Sequence, residues 1–367
     1  MKVTVEKEEL QRKLSDIQNI VEKKNTMPIL SHFLLKADKN GSYITATDLE
    51  TAFREPIVVT VGEDGSICIP AKKLLEIVRE MDGEITLESS EAQWMKARCG
   101  KSHFRIACLS PDDFPVWPSL EGAEELEINS KILLEMIDKA LYAAGESDTR
   151  YVLNGLLFHI KPDGSLTVVG TDGHRLAMST KTPGFIVKDE KRFIISRKSV
   201  AELRRFLSGD EGVGVRVNMG KNHILFLIEQ ITFLTRLIEG TYPNYEQVLP
   251  VGNEKTLTVD RAVLIKALRR VSIMSKERSN AVKVDLDAQT MTISASNPDL
   301  GEAKDELVVE YNGDPMSLAF NARYMLDAFN VMGTEKVVIK LNEVLSPALL
   351  MEYGVEDYKC VIMPMRL

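Results

Sequence analysis

The chain has 367 residues, of which 44% are hydrophobic, and its 46 basic and 54 acidic side chains give a formal net charge of −8. These values are typical of a globular protein of two or three domains, and taken alone the acidic balance argues against a nucleic-acid partner. The sequence has no run of about 18 apolar residues, no apolar leader and no C-x-x-C pair, so a membrane span, a signal peptide, a disulfide scaffold and a zinc site are not expected, whereas a reducing cytoplasm is.

The first predicted unit is a strand followed by an amphipathic helix, and it occurs three times along the chain: "VTVEKEELQRKLSDIQNI", "LEINSKILLEMIDKAL" and "LTVDRAVLIKALRRVS". An alternating pattern typical of a β-hairpin follows each copy. The hairpins end in "TATDLETAF", "VGTDGHRLA" and "SASNPDLGE", whose turn residues Asp48, Asp172 and Asn297 are spaced 124 and 125 residues apart. A repeat of this length indicates a repeated domain.

A second strand and helix complete each repeat: "ICIPAKKLLEIVREM", "FIISRKSVAELRRFL" and "LAFNARYMLDAFNVM". Pro70, Ser196 and Asn321 stand at the predicted helix starts, 126 and 125 residues apart. Proline suits the first turn of a helix, and serine and asparagine suit the N-cap. The sequence therefore predicts an α+β protein of three repeated domains, each with two helices packed on antiparallel sheet, at residues 1–120, 121–250 and 251–367.

The stretch "TDGHRLA" (171–177) has the residue types of an active site, and an enzyme using Asp172, His174 and Arg175 for general acid-base chemistry is one interpretation. The equivalent stretches "TDLETAF" and "SNPDLGE" keep the polar turn residue without the His-Arg pair, which favours a structural turn. The five histidines form no H-x-x-x-H pair, and the sequence has no glycine-rich phosphate loop. No catalytic residue, metal ligand or cofactor is expected.

Basic residues dominate the predicted outward faces of the six helices, against only four acidic residues, Glu76, Glu135, Glu202 and Asp327. The basic residues are Arg12, Lys23, Lys72, Arg79, Lys131, Lys139, Lys198, Arg205, Lys266, Arg269 and Arg323. Helices arranged side by side would make a continuous positive surface that binds phosphates without reading base sequence. Ordinary solvated helix faces and a monomeric DNA-binding protein are the alternatives.

The tail "VIMPMRL" (361–367), "TDGHRLA", "YPNYEQVLP" (242–250), "NTMPIL" (25–30) and the three-fold repeat together resemble the bacterial sliding clamps, the beta subunits of DNA polymerase III. The resemblance covers the whole chain. It implies a non-catalytic, head-to-tail homodimer that forms a closed ring around double-stranded DNA. It also implies as partners the polymerase III alpha subunit, the clamp loader, translesion polymerases and mismatch repair proteins, and no membrane.

The resemblance further implies a hydrophobic pocket for short linear peptides, with "TDGHRLA" as one wall. By matching motif its residues are Leu153, Thr171, Gly173, His174, Arg175, Leu176, Pro243, Val248, Ser346, Val361, Met363, Pro364, Met365 and Arg366. Methionine is flexible and polarizable, so a cleft lined by Met and Leu can accommodate varied side chains.

The resemblance implies DNA contacts by Lys24, Lys72, Tyr151, Arg197, Lys198 and Arg205. The dimer contact has support from the residues themselves, because Ile273, followed by Met274, is apolar on a predicted solvent face. In the family this position meets an aromatic residue, here Phe104. The basic residues Lys96 and Arg105 lie near Phe104, and the acidic residues Glu302 and Glu306 lie in the third domain. Opposite charges at opposite ends of the chain suit a head-to-tail contact.

Overall fold

The computed structural model describes residues 1–21, 27–91, 93–118, 120, 124–208, 212–276 and 279–366. Six helices lie in this part of the chain, two in each repeat: α1 Lys7–Ile17, α2 Ala71–Arg79, α3 Ser130–Leu141, α4 Arg197–Leu207, α5 Arg261–Ser272 and α6 Ala322–Val331. With the antiparallel strands given next, they confirm the predicted α+β class.

The strands of the first repeat and the start of the second are β1 Lys2–Glu6, β2 His32–Ala37, β3 Tyr43–Thr47, β4 Thr51–Pro56, β5 Thr60–Glu63, β6 Gly65–Pro70, β7 Glu84–Glu91, β8 Trp94–Cys99, β9 Ser102–Ala107 and β10 Glu124–Asn129. The second repeat continues with β11 Gly155–Ile160, β12 Leu166–Thr171, β13 Arg175–Lys181, β14 Lys191–Ser196, β15 Gly214–Met219, β16 His223–Ile228 and β17 Ile231–Arg236. The third contains β18 Lys255–Asp260, β19 Ala281–Asp287, β20 Thr290–Asn297, β21 Gly301–Val308, β22 Glu310–Tyr311, β23 Met316–Asn321, β24 Lys336–Leu341, β25 Ala348–Glu352 and β26 Tyr358–Ile362.

The second helix of each repeat begins where its sequence predicts. The Asn321 side chain accepts a hydrogen bond from the backbone N–H of Arg323 at 2.9 Å, and Ser196 Oγ accepts one from the N–H of Ser199 at 3.1 Å. Both contacts satisfy N–H groups that have no partner within the helix. Pro70 precedes α2 without a side-chain cap. The helix starts are therefore confirmed.

The chain forms two compact units, residues 1–130 with 205–237 and residues 131–204 with 238–367. The first unit contains an eight-stranded sheet, β10-β15-β16-β17-β4-β3-β2-β6, and a five-stranded sheet, β5-β1-β7-β8-β9. The second contains a nine-stranded sheet, β14-β11-β12-β13-β26-β25-β24-β18-β22, and a four-stranded sheet, β21-β20-β19-β23. The exact domain boundaries at 120/121 and 250/251 stay predictions.

The two larger sheets are built in the same way, by joining strands of two successive repeats. The first unit joins four strands of the first repeat to four of the second, and the second unit joins four strands of the second repeat to five of the third. In the first unit β4 pairs with β17, with Thr51 opposite Thr235. In the second unit the equivalent strands β13 and β26 pair, with Arg175 opposite Ile362. The two smaller sheets are the unmatched halves of this pattern, and among the described residues β9 and β21 each have a strand neighbour on one side only.

Lys139 corrects one sequence-based prediction. It was expected on the outward face of α3, but its side chain is buried, with Nζ 2.8 Å from Glu352 Oε2 and 3.0 Å from Glu135 Oε1. Glu352 lies on β25, more than 200 residues away, and a helical wheel contains no information about such a partner. Lys23, also predicted on an outward face, lies outside the described residues.

Lys13 and Glu55 form a buried ion pair in the first unit, and we expect Lys13→Ala to lower the free energy of unfolding by about 3–5 kcal/mol, because it leaves a buried carboxylate unpaired. Burial raises the pKa of Glu55 from 4.5 to about 7 even beside Lys13. At pH 5.5 the Glu55 carboxyl is therefore mostly protonated and needs no cation, whereas at pH 8 it is mostly ionised and Lys13→Ala would leave it unpaired. The decrease in the free energy of unfolding should for this reason grow as the pH rises from 5.5 to 8.

Urea unfolding at these two pH values measures the effect. The matched control is Lys73→Ala, which removes an exposed ion pair with Glu76 and should change stability by less than about 1 kcal/mol. Equal losses for the two variants would contradict the assignment of Lys13 and Glu55 as a stabilising buried pair.

Candidate peptide-binding cleft

The turn between β12 and β13 is held by its own side chains. Asp172 Oδ1 accepts hydrogen bonds from the backbone N–H groups of His174 at 2.9 Å and Arg175 at 3.0 Å. Asp48 and Asn297 make the same kind of contact in the other repeats, to Glu50 N at 3.0 Å and Asp299 N at 3.0 Å. The structural role predicted for Asp172 is therefore confirmed.

A cleft of about 140 Å³ opens beside this turn, entirely within the second unit. Four chain segments surround it, and its residues are Arg150, Leu153, Thr171, Gly173, His174, Arg175, Leu176, Pro243, Tyr245, Val248, Val361 and Met363. The floor belongs to a hydrophobic cluster that includes Leu153, Leu176, Tyr245 and Val361. The cleft is thus a small apolar site with a polar margin, as recognition of apolar side chains requires.

Ten of the fourteen predicted pocket residues line this cleft, and four do not: Ser346, Pro364, Met365 and Arg366. Ser346 lies in the connection between β24 and β25, and Met365 turns away to donate its backbone N–H to Ala319 O at 2.8 Å. Sequence reasoning missed Arg150 and Tyr245. Tyr245 lies inside the quoted motif "YPNYEQVLP", whereas no sequence signal marked Arg150.

Arg150 places a guanidinium group, paired with Asp148, at the rim of the cleft. Its guanidinium holds the pKa of Asp148 down at about 2 through hydrogen bonds at 2.8 and 3.0 Å. It also donates to Asp172 O at 3.2 Å. Gly173 has φ +85°, a backbone conformation that favours glycine, and a Cβ there would also lie 2.7 Å from Arg150 Nη2, the flexible end of an exposed side chain.

Arg175 borders the cleft, but its guanidinium points into the protein. It forms ion pairs with Asp172 at 3.1 Å and Asp327 at 2.6 Å, donates to Tyr142 O at 2.7 Å, and lies 4.3 Å from the ring centre of Tyr324. The side chain is 9% exposed. Arg175 therefore fixes the turn against α6, rather than presenting a charge to a ligand.

The C-terminal tail closes one side of the cleft. Beyond β26, the Met363 backbone N–H donates to His174 O at 3.0 Å, which continues the β13–β26 ladder next to the turn. The Met363 side chain stays 45% exposed at the margin of the cleft. A flexible thioether there can adapt to different partners.

The predicted DNA contacts have different environments. Lys72 and Lys198 are exposed and Tyr151 is 60% exposed, so all three can reach solvent. Arg197 and Arg205 are partly used by the fold, Arg197 in an ion pair with Glu146 at 3.0 Å and Arg205 in hydrogen bonds to backbone carbonyls of α1. Lys24 lies outside the described residues.

The predicted dimer residues lie on or near β9 and β21, two of the edge strands. Phe104 on β9 is 38% exposed and Ile273, directly after α5, is 74% exposed. Met274 packs partly against the core. The four predicted charged residues are all exposed: Lys96 on β8, Arg105 on β9, and Glu302 and Glu306 on β21. The Arg105 guanidinium lies 4.1 Å from the ring centre of Trp94.

Among the residues that the structure describes, no group of three or more His, Cys, Asp and Glu side chains could hold a metal ion. In the same residues, no helix has the length and apolar character that crossing a bilayer requires.

Family models match almost the whole chain: the N-terminal domain of the DNA polymerase III beta subunit over residues 1–118, its central domain over 127–244 and its C-terminal domain over 246–366. The beta sliding clamp of Pseudomonas aeruginosa is 35% identical, with 100% of both chains covered. A crystal structure of the P. aeruginosa subunit superposes with a TM-score of 0.94 over 100% of both chains. The sliding clamp of Bacillus subtilis has a TM-score of 0.95 at 25% identity, covering 100% of this chain and 99% of that one.

Proposed function

Since the chain belongs to the beta sliding clamp family and is therefore a non-catalytic processivity subunit of DNA polymerase III, we propose that two copies close head to tail into a ring around duplex DNA. The observation that carries this proposal is the pair of unmatched half-sheets. Each complete sheet joins four strands of one repeat to four or five of the next, through β4–β17 or β13–β26. The same junction between β21 of one copy and β9 of another would satisfy both edges, and made twice it closes a ring.

The strand register supports this junction. In the two complete sheets Thr51 is opposite Thr235 and Arg175 is opposite Ile362. By the strand pairings within each repeat, Gly301 on β21 is equivalent to Thr51 and Arg175. Ile106 on β9 is equivalent to Thr235 and Ile362. The neighbouring pair in this register is Glu302 opposite Arg105, which joins opposite charges.

An apolar contact accompanies the charges in the proposed junction. An open groove beside β9 has Ile77, Phe104 and Ile106 among its lining residues. Ile273, 74% exposed after α5, is the side chain that we propose fills this groove in the other copy. Burying it removes apolar surface that is otherwise exposed to water.

The ring would hold DNA through contacts to phosphates. Exposed basic residues on the helices, including Lys72, Lys198, Lys266 and Arg323, supply positive charge in a chain that is acidic overall. Phosphate contacts carry no sequence information, so they allow sliding. We propose Lys24, Tyr151, Arg197 and Arg205 as further contacts.

We propose that the cleft binds short peptide segments of the polymerase III alpha subunit, the clamp loader, translesion polymerases and mismatch repair proteins. Its support is an apolar floor of Leu153, Leu176 and Val361 with an adaptable methionine at its margin. Ser346, Pro364, Met365 and Arg366 would take part only with peptides that extend beyond the cleft.

We propose the cytoplasm as the location of the protein. All four cysteines are free thiols, which stay reduced there: Cys68, Cys99, Cys108 and Cys360.

Retention on DNA tests the ring directly. Protein placed on a nicked circular duplex by a clamp loader should stay bound through gel filtration, and should be released once a restriction enzyme cuts the circle, because a ring slides off a free end. A circle cut after blocking proteins are bound at both sides is the control and should retain the protein. Equal retention on open linear and circular DNA would point to ordinary groove binding and contradict encirclement.

A further inference from the structure

His159 lies behind the peptide-binding cleft and connects it to solvent. It stands on β11 with only 1% of its surface exposed. Its Nδ1 is 2.7 Å from the Tyr245 hydroxyl, and its Nε2 is 2.8 Å from Glu190 Oε1. The rings of His159 and Tyr245 meet edge to face, with centres 5.9 Å apart. A buried imidazole thus joins a residue of the cleft to a half-exposed carboxylate.

Tyr245 forms part of one wall of the cleft. It is 2% exposed, belongs to the hydrophobic floor, and begins the 3₁₀ turn Tyr245–Val248 that carries Val248 to the cleft. The Tyr245 side chain also hydrogen-bonds Thr167 on β12. Within the described residues, its hydroxyl contact with His159 is one of two polar contacts between this turn and β11 with the residue after it. The other is an exposed ion pair of Lys161 with Glu246 at 3.0 Å. Because surface ion pairs contribute little, the buried contact of Tyr245 is the stronger tie.

The surroundings keep His159 neutral at physiological pH. Burial lowers the pKa of His159 most, and the charge of Arg192 lowers it further, against the effect of Glu190. Glu190 stays ionised because Arg192 lowers its pKa, so its carboxylate accepts a hydrogen bond from the Nε2–H of His159. Nδ1 then accepts the hydrogen bond from the Tyr245 hydroxyl. The titratable and charged groups that face His159 from all its neighbouring segments are Lys161, Glu190, Arg192, Tyr245 and Glu246.

We infer that His159 is a positioning residue for peptide binding: the neutral imidazole holds Tyr245 and the turn behind it in the geometry that accepts a peptide, and protonation of His159 releases them. A protonated Nδ1 can no longer accept from the tyrosine hydroxyl. The peptide affinity should then fall as the pH drops. This inference rests on the proposed peptide-binding role of the cleft.

The test is fluorescence anisotropy of a labelled peptide from the polymerase III alpha subunit, with the full-length protein. His159→Leu and Tyr245→Phe should each weaken binding by roughly three- to tenfold, the value of one lost hydrogen bond. The double variant should be no weaker than the weaker single one, because both changes remove the same contact. His159→Asn retains an amide near the Nδ1 position and should restore most of the affinity.

A pH series from 8 to 5.5 separates positioning from mere structural support. The wild type should lose affinity at the acidic end relative to His159→Asn, and because the two proteins differ only at residue 159, the difference belongs to His159. If circular dichroism shows that His159→Leu fails to fold, the inference is tested with the two milder variants. These are Tyr245→Phe, which removes one oxygen atom, and His159→Asn. Unchanged affinity in Tyr245→Phe, or parallel pH profiles, would overturn the inference. A wild type that binds no peptide would instead overturn the proposed role of the cleft.

Discussion

Deletion of residues 363–367 should weaken peptide binding by more than about a hundredfold, because it removes one side of a small apolar site, in which a few residues carry most of the binding energy. Met363 lines the cleft and its backbone N–H bonds to His174 O at 3.0 Å. The deletion therefore removes both a side chain that lines the cleft and the contact that holds the tail beside the turn. Anisotropy with the labelled alpha-subunit peptide measures the loss.

The matched control is a shorter deletion of residues 366–367, which keeps Met363 and the backbone contact of Met365 with Ala319. It should retain binding to within a few-fold. Both truncated proteins should still elute as dimers of 41.1 kDa subunits in size-exclusion chromatography. A truncated protein that dissociates into monomers would argue that the tail serves assembly and that the pocket is assigned wrongly.

Reversing one charge at the proposed junction should dissociate the dimer. Glu302→Arg would set two positive charges opposite each other at each junction, and like charges across an interface cost several kcal/mol, about a hundredfold or more in the dimer dissociation constant. Analytical ultracentrifugation across a dilution series measures this constant. The variant should also lose its retention on nicked circular DNA, because an open subunit cannot encircle a duplex.

The rescue is specific to the strand register. Combining Glu302→Arg with Arg105→Glu restores an opposite pair only if these residues face each other, so the double variant should recover most of the dimer. Arg105→Glu also loses its contact with Trp94, and recovery should for that reason be incomplete. Glu343→Arg, an equal charge reversal at an exposed loop residue, should leave the dimer unchanged. A double variant as weak as the single ones would reject this register.

The predictions of the fold that succeeded rest on local signals. The three repeats, the helix starts after Pro70, Ser196 and Asn321, and the turns at Asp48 and Asp172 follow from periodicity and from side chains that bond to backbone two or three residues away. The pairing of β4 with β17 and of β13 with β26 could not be predicted, because alternating strands of similar composition carry no record of which partner they meet.

The composition of the cleft was largely predictable through its motifs, but the direction of its side chains was not. The sequence by itself determined that Arg175 and Lys139 are basic; only the tertiary structure decided that both side chains are buried and paired, with Asp327 and Glu352 respectively. The tertiary structure likewise brings His159 within hydrogen-bond distance of Tyr245, which lies 86 positions away in the chain. Helix caps and turns are fixed by neighbours in the chain, whereas the state of a charge or hydroxyl depends on desolvation and on partners that folding alone brings within about 3 Å.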